Sequence, residues 1–288
     1  FFKQKTEYEI LSGLVGSEMC IRDRLHTALE ALELKEGDEV IAPDLTYVAS
    51  INSIAYTRAK PVLVDSEKLT WNIDVSHIEK HINQKTKAIM AVHLYGNPCN
   101  MTELRKICDK HNLYLIEDAA EAFGSKFNNL YCGSFGDIST FSFFGNKTIT
   151  TGEGGMVATN NKLLYERAKL LKNQAVSQTK EYWHEIVGYN YRMTDIAAAL
   201  GISQLKKVKT WNKTRNSLAE KYKLKFKEND GIHYQENPSN NVYSSYHLFI
   251  IQVNQRDRIF KELNKLGEAV ESVSYTHLRA HETREDLV

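Results

Sequence analysis

Between Val40 and Ile116 four short apolar runs punctuate the chain: Val40-Ile41-Ala42, Pro61-Val62-Leu63-Val64, Ala88-Ile89-Met90-Ala91-Val92 and Leu113-Tyr114-Leu115-Ile116. Runs of this length without polar alternation suit strands buried on both faces, the condition inside a parallel sheet covered by helices. The stretches between them carry helical spacing: Tyr47 to Tyr56 places Val48, Ile51, Ile54 and Ala55 on one face, and Val75 to Ile82 and Glu103 to His111 are also amphipathic. Repetition of strand and helix at this spacing predicts βαβ units, and hence an α/β fold with a mainly parallel sheet and helices on both faces.

After Asp118 the pattern changes. Ile138 to Phe143 reads as a strand, and Thr148-Ile149-Thr150 with Met156 to Thr159 reads as a hairpin across a Gly-rich turn. That turn, Gly152-Glu153-Gly154-Gly155, is not a phosphate loop, because no Gly-Lys-Ser/Thr follows and no helix opens there. Leu163 to Asn173 and Ile196 to Leu205 read as helices, and Lys209 to Lys227 as a longer charged one leading to a smaller domain. Tyr246 to Val253 is expected there as a strand and Arg256 to Leu266 as a helix.

With 288 residues the chain has room for a sizeable core. Its 37 basic and 36 acidic residues leave a net charge of +1, which argues against nucleic acid or a membrane surface held by bulk charge. Cys20, Cys99, Cys108 and Cys132 show no CxxC spacing, so reduced thiols in a cytoplasmic protein are expected rather than a zinc knuckle or a disulfide framework. No apolar run approaches membrane-spanning length. His77 and His81 stand four apart but lack a neighbouring glutamate and a third ligand, so no metal site is expected. The matches to Asn-x-Thr at Asn100, Asn146 and Asn212 carry no meaning in a cytoplasmic chain.

The chemistry concentrates between Glu117 and Gly155. Asp118 falls at the carboxyl end of a strand, where open α/β sheets collect ligands, and Lys147 follows Gly145-Asn146 in a loop. A helix cap and a solvated lysine would account for either residue alone. Together they are the two groups that pyridoxal phosphate needs: an amine to condense with its aldehyde and a carboxylate to keep its ring nitrogen protonated.

The run from Phe141 to Lys147, the following Thr148 to Met156, Val92-His93-Leu94-Tyr95-Gly96-Asn97-Pro98, Glu117 to Ala122, and Tyr182-Trp183-His184 with Gly188 to Thr194 together resemble the DegT/DnrJ/EryC1/StrS family of nucleotide-sugar aminotransferases. The resemblance covers about Leu25 to Gly267. It implies a fold-type I transferase dependent on pyridoxal 5'-phosphate, with an incomplete small α/β domain after the large one. It further implies transfer of an amino group from L-glutamate to C4 of a nucleotide-linked 4-keto-6-deoxy sugar. GDP-4-keto-6-deoxy-D-mannose is the foremost acceptor, for surface polysaccharide and O-antigen. A UDP- or dTDP-linked ketosugar, or an inactive cofactor-binding or regulatory relative, stays open. A related dehydratase branch has histidine in place of the lysine, so Lys147 speaks for transamination.

Carried over residue by residue, the resemblance makes Lys147 and Asp118 catalytic. Tyr47 would stack on the cofactor ring, Glu121 would lie near its phenolic oxygen and Ser142 would meet its phosphate. Asn190 would reach the phosphate of a neighbouring subunit's cofactor, which implies a homodimer with a shared active site. His93, His184 and Arg192 are candidate substrate contacts. One departure stands out: the family's Gly-Thr/Ser phosphate loop is replaced by Cys20-Ile21-Arg22-Asp23-Arg24.

Residues 1–24 and 272–288 resemble translated sequencing-adapter read-through and are expected to be foreign to the parent enzyme. On that reading the large cofactor-binding domain spans 25–208, and 209–271 holds a linker helix and part of the small domain.

Overall fold

A computed structural model describes residues 14–18, 21–177, 179–184, 186–237, 239–266 and 276–277. The remaining parts of the two end segments discussed above lie outside the described residues. Seven strands form the main sheet: β1 (Leu14–Glu18), β2 (Glu39–Pro43), β3 (Lys60–Val64), β4 (Thr86–Val92), β5 (Tyr114–Asp118), β6 (Ile138–Ser142) and β7 (Gly155–Ala158). Their order is β1-β7-β6-β5-β4-β2-β3. Pairings from β3 through β2, β4 and β5 to β6 are parallel, and β6–β7 and β7–β1 are antiparallel. The α/β expectation therefore holds, with an antiparallel edge that includes residues 14–18.

Helices α1 (Ile21–Ala31) and α2 (Val48–Tyr56) pack on one face, where Leu25, Leu29, Ile51 and Ile54 meet Val40, Met90 and Ile116. Helix α3 (Met101–His111) covers the other, placing Met101, Leu104 and Cys108 against Ile41, Ile89 and Leu115. Alternate strand residues thus feed opposite cores, as the two-residue period of a strand requires. Asn100 starts α3 by accepting the Glu103 N–H at 3.3 Å, and Asn112 ends it in the left-handed region at φ 53°.

Farther along lie α4 (Lys162–Lys172), α5 (Asp195–Leu205) and α6 (Val208–Phe226). A small antiparallel pair of strands, Ile232–Tyr234 and Ile251–Val253, and a helix, Arg256–Lys265, follow. Among the described residues no helix is long and apolar enough to cross a membrane, and no group of three His, Cys, Asp or Glu side chains could hold a metal.

Three local expectations need correction. Helix stops at Ile78 and tightens to a 3₁₀ turn over Glu79–His81, so the predicted Val75 to Ile82 helix is broken. The hairpin runs between β6 and β7, not from Thr148, because Phe143 bonds both ways across the base of the connection: its N–H donates to Gly154 O at 2.8 Å and its carbonyl accepts from Thr151 N–H at 2.9 Å. Only Ile251–Val253 of the predicted Tyr246 to Val253 strand is extended and paired. Tyr246 has φ 44°, and the His247 N–H is spent on Tyr95 O at 3.0 Å.

One buried carboxylate pins the end of β5. Glu117 is fully buried; its Oε1 accepts the N–H groups of Phe135 at 2.7 Å and Gly136 at 2.6 Å, and its Oε2 accepts the N–H of Gly133 at 2.7 Å. The Nε2 of His93 stands 3.1 Å from the same Oε2. Cys99 N–H donates to His93 Nδ1 at 3.1 Å, which leaves the ring proton on Nε2 to be donated to Glu117. Glu117→Gln would keep the shape but turn an amide NH₂ toward existing donors at one end. It should destabilise the fold by about 2–3 kcal/mol in urea titration, the cost of buried donors left facing one another.

Candidate functional site

Asp118 and Lys147 line one cavity of about 160 Å³. Asp118 is the last residue of β5, one place further into the strand than its sequence suggested, and alternation turns it to the α1/α2 side while Glu117 points the other way. No helix follows it, so it does not serve as a cap. Its Oδ2 accepts from Ser50 Oγ at 2.9 Å, and Thr46 Oγ1 donates to Ser50 Oγ at 3.2 Å. The Ala120 N–H donates to Oδ1 at 3.2 Å, and the Arg24 guanidinium stands 3.6 Å from that oxygen with both side chains buried. A carboxylate gripped from two helices and its own turn has one orientation, aimed into the cavity wall.

Lys147 sits on the connection between β6 and β7. That connection is closed at its base by Phe143 and tied outward by the Thr150 N–H, which donates to Gln204 Oε1 of α5 at 3.0 Å. Lys147 Nζ donates to Glu121 Oε1 at 3.3 Å, with both side chains about nine-tenths covered. Glu121 is held in turn, its Oε2 accepting the Tyr95 N–H at 2.7 Å from a residue at φ 58°. Such a positive φ is uncommon for a tyrosine, and the backbone strain it carries serves to aim that N–H at Glu121.

Tyr47 lines the cavity with 56% of its surface exposed, as an aromatic cover over a planar ligand requires. His93 lies against the cavity but is fully buried, with both ring nitrogens engaged by Glu117 and Cys99. Ser142 is buried outside the lining, and its hydroxyl accepts from Phe144 N–H at 3.4 Å. Asn190, His184 and Arg192 are exposed away from the cavity. His184 Nδ1 meets Gln174 O at 2.8 Å, Arg192 donates to Asn173 Oδ1 at 3.0 Å, and Asn190 pairs through its backbone with Asn173.

The cavity also holds residues that sequence reasoning missed. Thr46 and Ser50 are four apart across the start of α2, a spacing that could have marked them as one polar corner. His247 had no such signal, since it lay in a stretch read as strand. Its Nε2 is 3.8 Å from Glu121 Oε1, so Lys147 and His247 flank one carboxylate oxygen. The segment around it is stitched down: Ser245 Oγ donates to Glu121 O at 3.0 Å, Ser244 Oγ to Gly96 O at 3.0 Å, and Asn216 of α6 to Ser244 O at 2.8 Å. A Cβ on Gly96 would collide with Ser245, so only glycine admits this close approach.

An amine, two carboxylates and an aromatic plane converge here. Residues 22–286 match the model of the DegT/DnrJ/EryC1/StrS aminotransferase family. The chain belongs to that family. It is 52% identical over 227 residues to the GDP-perosamine synthase of Escherichia coli O157:H7, covering 79% of this chain and 62% of the relative. It is 46% identical over 263 residues to the GDP-perosamine synthase of Vibrio cholerae, covering 91% and 69%. This member of the family thus spans about two thirds of the length of those relatives. Its fold superposes with a TM-score of 0.82 on Helicobacter pylori PseC, an aminotransferase involved in the biosynthesis of pseudoaminic acid, at 32% identity over 87% of this chain and 70% of that one. The fold-type I α/β architecture follows from these matches.

Burial pushes the His247 imidazole down to about 4; Glu121 pulls it up, while Lys147 and Arg215 push it further down. The unfolded chain takes that proton at the ordinary value near 6.5, so the folded state binds it less tightly and loses stability as pH falls from about 6.5 to about 4. The loss should be ~3 kcal/mol. Urea unfolding at pH 7 and at pH 4 should show it in the parent chain, with a smaller drop in His247→Leu.

Proposed function

We propose that this chain is the body of a pyridoxal-phosphate-dependent aminotransferase that moves the amino group of L-glutamate to C4 of a nucleotide-linked 4-keto-6-deoxy sugar. GDP-4-keto-6-deoxy-D-mannose is the acceptor and GDP-perosamine the product, a precursor for surface polysaccharide made in the cytoplasm. The observation that carries this reading is the convergence of Lys147 and Asp118 on one cavity. The names of the two perosamine-synthase relatives support the choice of sugar.

The donor set fits the cofactor: an amine for its aldehyde, a fixed carboxylate for its ring nitrogen and an exposed tyrosine for its face. When bound, pyridoxal phosphate supplies the electron sink and the carbon that carries the amino group between substrates. Lys147 moves the proton that must leave the donor's α-carbon, through an amine carried on a flexible side chain. Glu121 stands 3.3 Å from that amine and receives its hydrogen bond. Asp118 holds positive charge at the ring nitrogen, an electrostatic role that its Ser50 and Ala120 contacts keep oriented. Arg24 competes for the same carboxylate. Ser142 accepts from Phe144 N–H and would meet the phosphate through its own O–H, whereas Asn190, His184 and Arg192 would act from a neighbouring copy.

That neighbour is supported by α5. No residue of this helix is buried, although Ile196, Leu200 and Ile202 are apolar and stand 85%, 43% and 53% exposed. Tyr182 and Val187 extend the same kind of surface. Large exposed apolar patches of this sort mark protein interfaces. Asn190 precedes α5 by five residues in the chain, so a homodimer built on this helix is the place for the cross-subunit contact that the resemblance implies. Ile196→Asp should convert a dimer to a monomer in light scattering after gel filtration.

Mixing the purified chain with the cofactor should give a yellow complex that survives dialysis, and Lys147→Ala should lose the colour. Arg24→Ala should tighten retention several-fold by releasing Asp118. No colour in any of the three would overturn the reading. Product assays with GDP-, UDP- and dTDP-linked ketosugars should give turnover with the GDP sugar foremost.

A further inference from the structure

Helix α6 carries one charged residue on its inner face. Val208, Asn212 and Ala219 are buried, and Arg215 falls between the last two at the helical spacing that continues their stripe. Its side chain is half-buried, and its Nη1 is enclosed without a hydrogen-bond partner. Burial, unopposed by any acidic neighbour, lowers its hold on its proton. The polar residues beside it are better served: Asn212 donates to Phe123 O at 3.0 Å, and Asn216 donates to Ser244 O at 2.8 Å.

The charge of Arg215 bears on His247, whose ring lines the cavity. That ring sits on a segment held down by Ser244, Ser245 and its own N–H. Its Nδ1 has no hydrogen-bond partner, and its Nε2 lies 3.8 Å from Glu121 Oε1, beyond hydrogen-bond distance. Neither nitrogen is committed, so the ring has an N–H to give whichever one carries it. The other charged groups acting on the ring are Glu121 and Lys147, and those two already meet each other at 3.3 Å. One carboxylate therefore stands among two cations, and the surplus charge is the guanidinium.

A cation kept half-buried with no anion destabilises the ligand-free chain, and a ligand that brings the missing charge removes that penalty. We propose that His247 and Arg215 form a carboxylate subsite on the α6 side of the cavity, which takes a carboxylate of the amino donor: the ring donates its N–H to it, and the guanidinium supplies the counter-charge. A flat, singly charged group matches one N–H and one surplus positive charge. The diphosphate of a nucleotide would bring more charge than one guanidinium balances. The subsite thus selects an amino acid over a neutral amine. The inference deepens the functional reading above, and rests on it only for the identity of the donor.

Calorimetric titration of the cofactor-free chain with 2-oxoglutarate, the deaminated donor, tests the subsite without any turnover. The parent should bind it, and Arg215→Met should weaken that binding about ten- to hundred-fold. Arg215→Lys, which keeps the charge without the fork, should recover part of the loss, and His247→Phe should weaken binding about three- to ten-fold. Because Arg215 has no ion pair to lose, the urea midpoint of Arg215→Met should equal or exceed that of the parent, which a merely structural arginine would not allow. In the yellow complex, Arg215→Met should raise the L-glutamate concentration that discharges the colour and leave the half-saturating concentration of the acceptor sugar unchanged. No binding by the parent, equal affinity in Arg215→Met, a lower urea midpoint in that variant, or tighter binding of inorganic phosphate than of 2-oxoglutarate would overturn the proposal. A parent that binds 2-oxoglutarate but never turns yellow with pyridoxal phosphate would keep the subsite and defeat the functional reading. A yellow chain indifferent to Arg215→Met would defeat the subsite alone.

Discussion

The site depends on a carboxylate that never touches it. Glu117 gathers three backbone N–H groups and the His93 ring at the end of β5, in a place from which water is excluded. Four donors around one buried side chain hold the loop from Gly133 to Gly136 against the strand. Gly136 could not carry a Cβ there, since it would lie 2.7 Å from Leu115 O. Because neighbouring strand residues face opposite ways, fixing Glu117 on one side fixes Asp118 on the other. Asp118 is thereby positioned from behind, by contacts made in the opposite core.

A second layer acts across the cavity. Tyr95, Glu121, Ser245 and His247 come from three distant parts of the chain and meet around one carboxylate and its backbone. Lys147 enters this group from a fourth. The polar interior is satisfied almost throughout, as buried polar networks must be to specify one arrangement. Among the described residues its open positions include His247 Nδ1, Arg215 Nη1 and Thr148 Oγ1 next to or facing the lysine and its carboxylate, and others farther off at His77 Nδ1 and Asn212 Oδ1.

Much of the frame was legible because it is local. Apolar runs gave all four early parallel strands, and helical spacing gave α2, α3, α4 and α5 to within two residues at either end. The lysine and the strand-terminal aspartate were legible as motif residues. What escaped depends on long-range contact. Glu117 looks like any acidic residue beside a functional one until the loop sixteen to nineteen residues away folds over it. His247 reads as strand because its apolar neighbours do; the left-handed Tyr246 and the bond to Tyr95 that break the strand involve a residue 152 positions earlier. The Thr148 arm failed for the converse reason: three β-branched residues in a row resemble a strand, yet Phe143 closes the connection before those residues can pair.

That closure has a mechanical consequence. With Phe143 bonded to Gly154 and Thr151, and Thr150 tethered to Gln204, the main chain around Lys147 is anchored on both flanks. The amine can therefore travel only by turning about the bonds of its own side chain, like a crane arm on a bolted footing. Its reach changes with the side-chain torsions, starts at Glu121 and is bounded by the walls of the cavity. Four methylene groups, rather than a hinged loop, set how far that amine can reach.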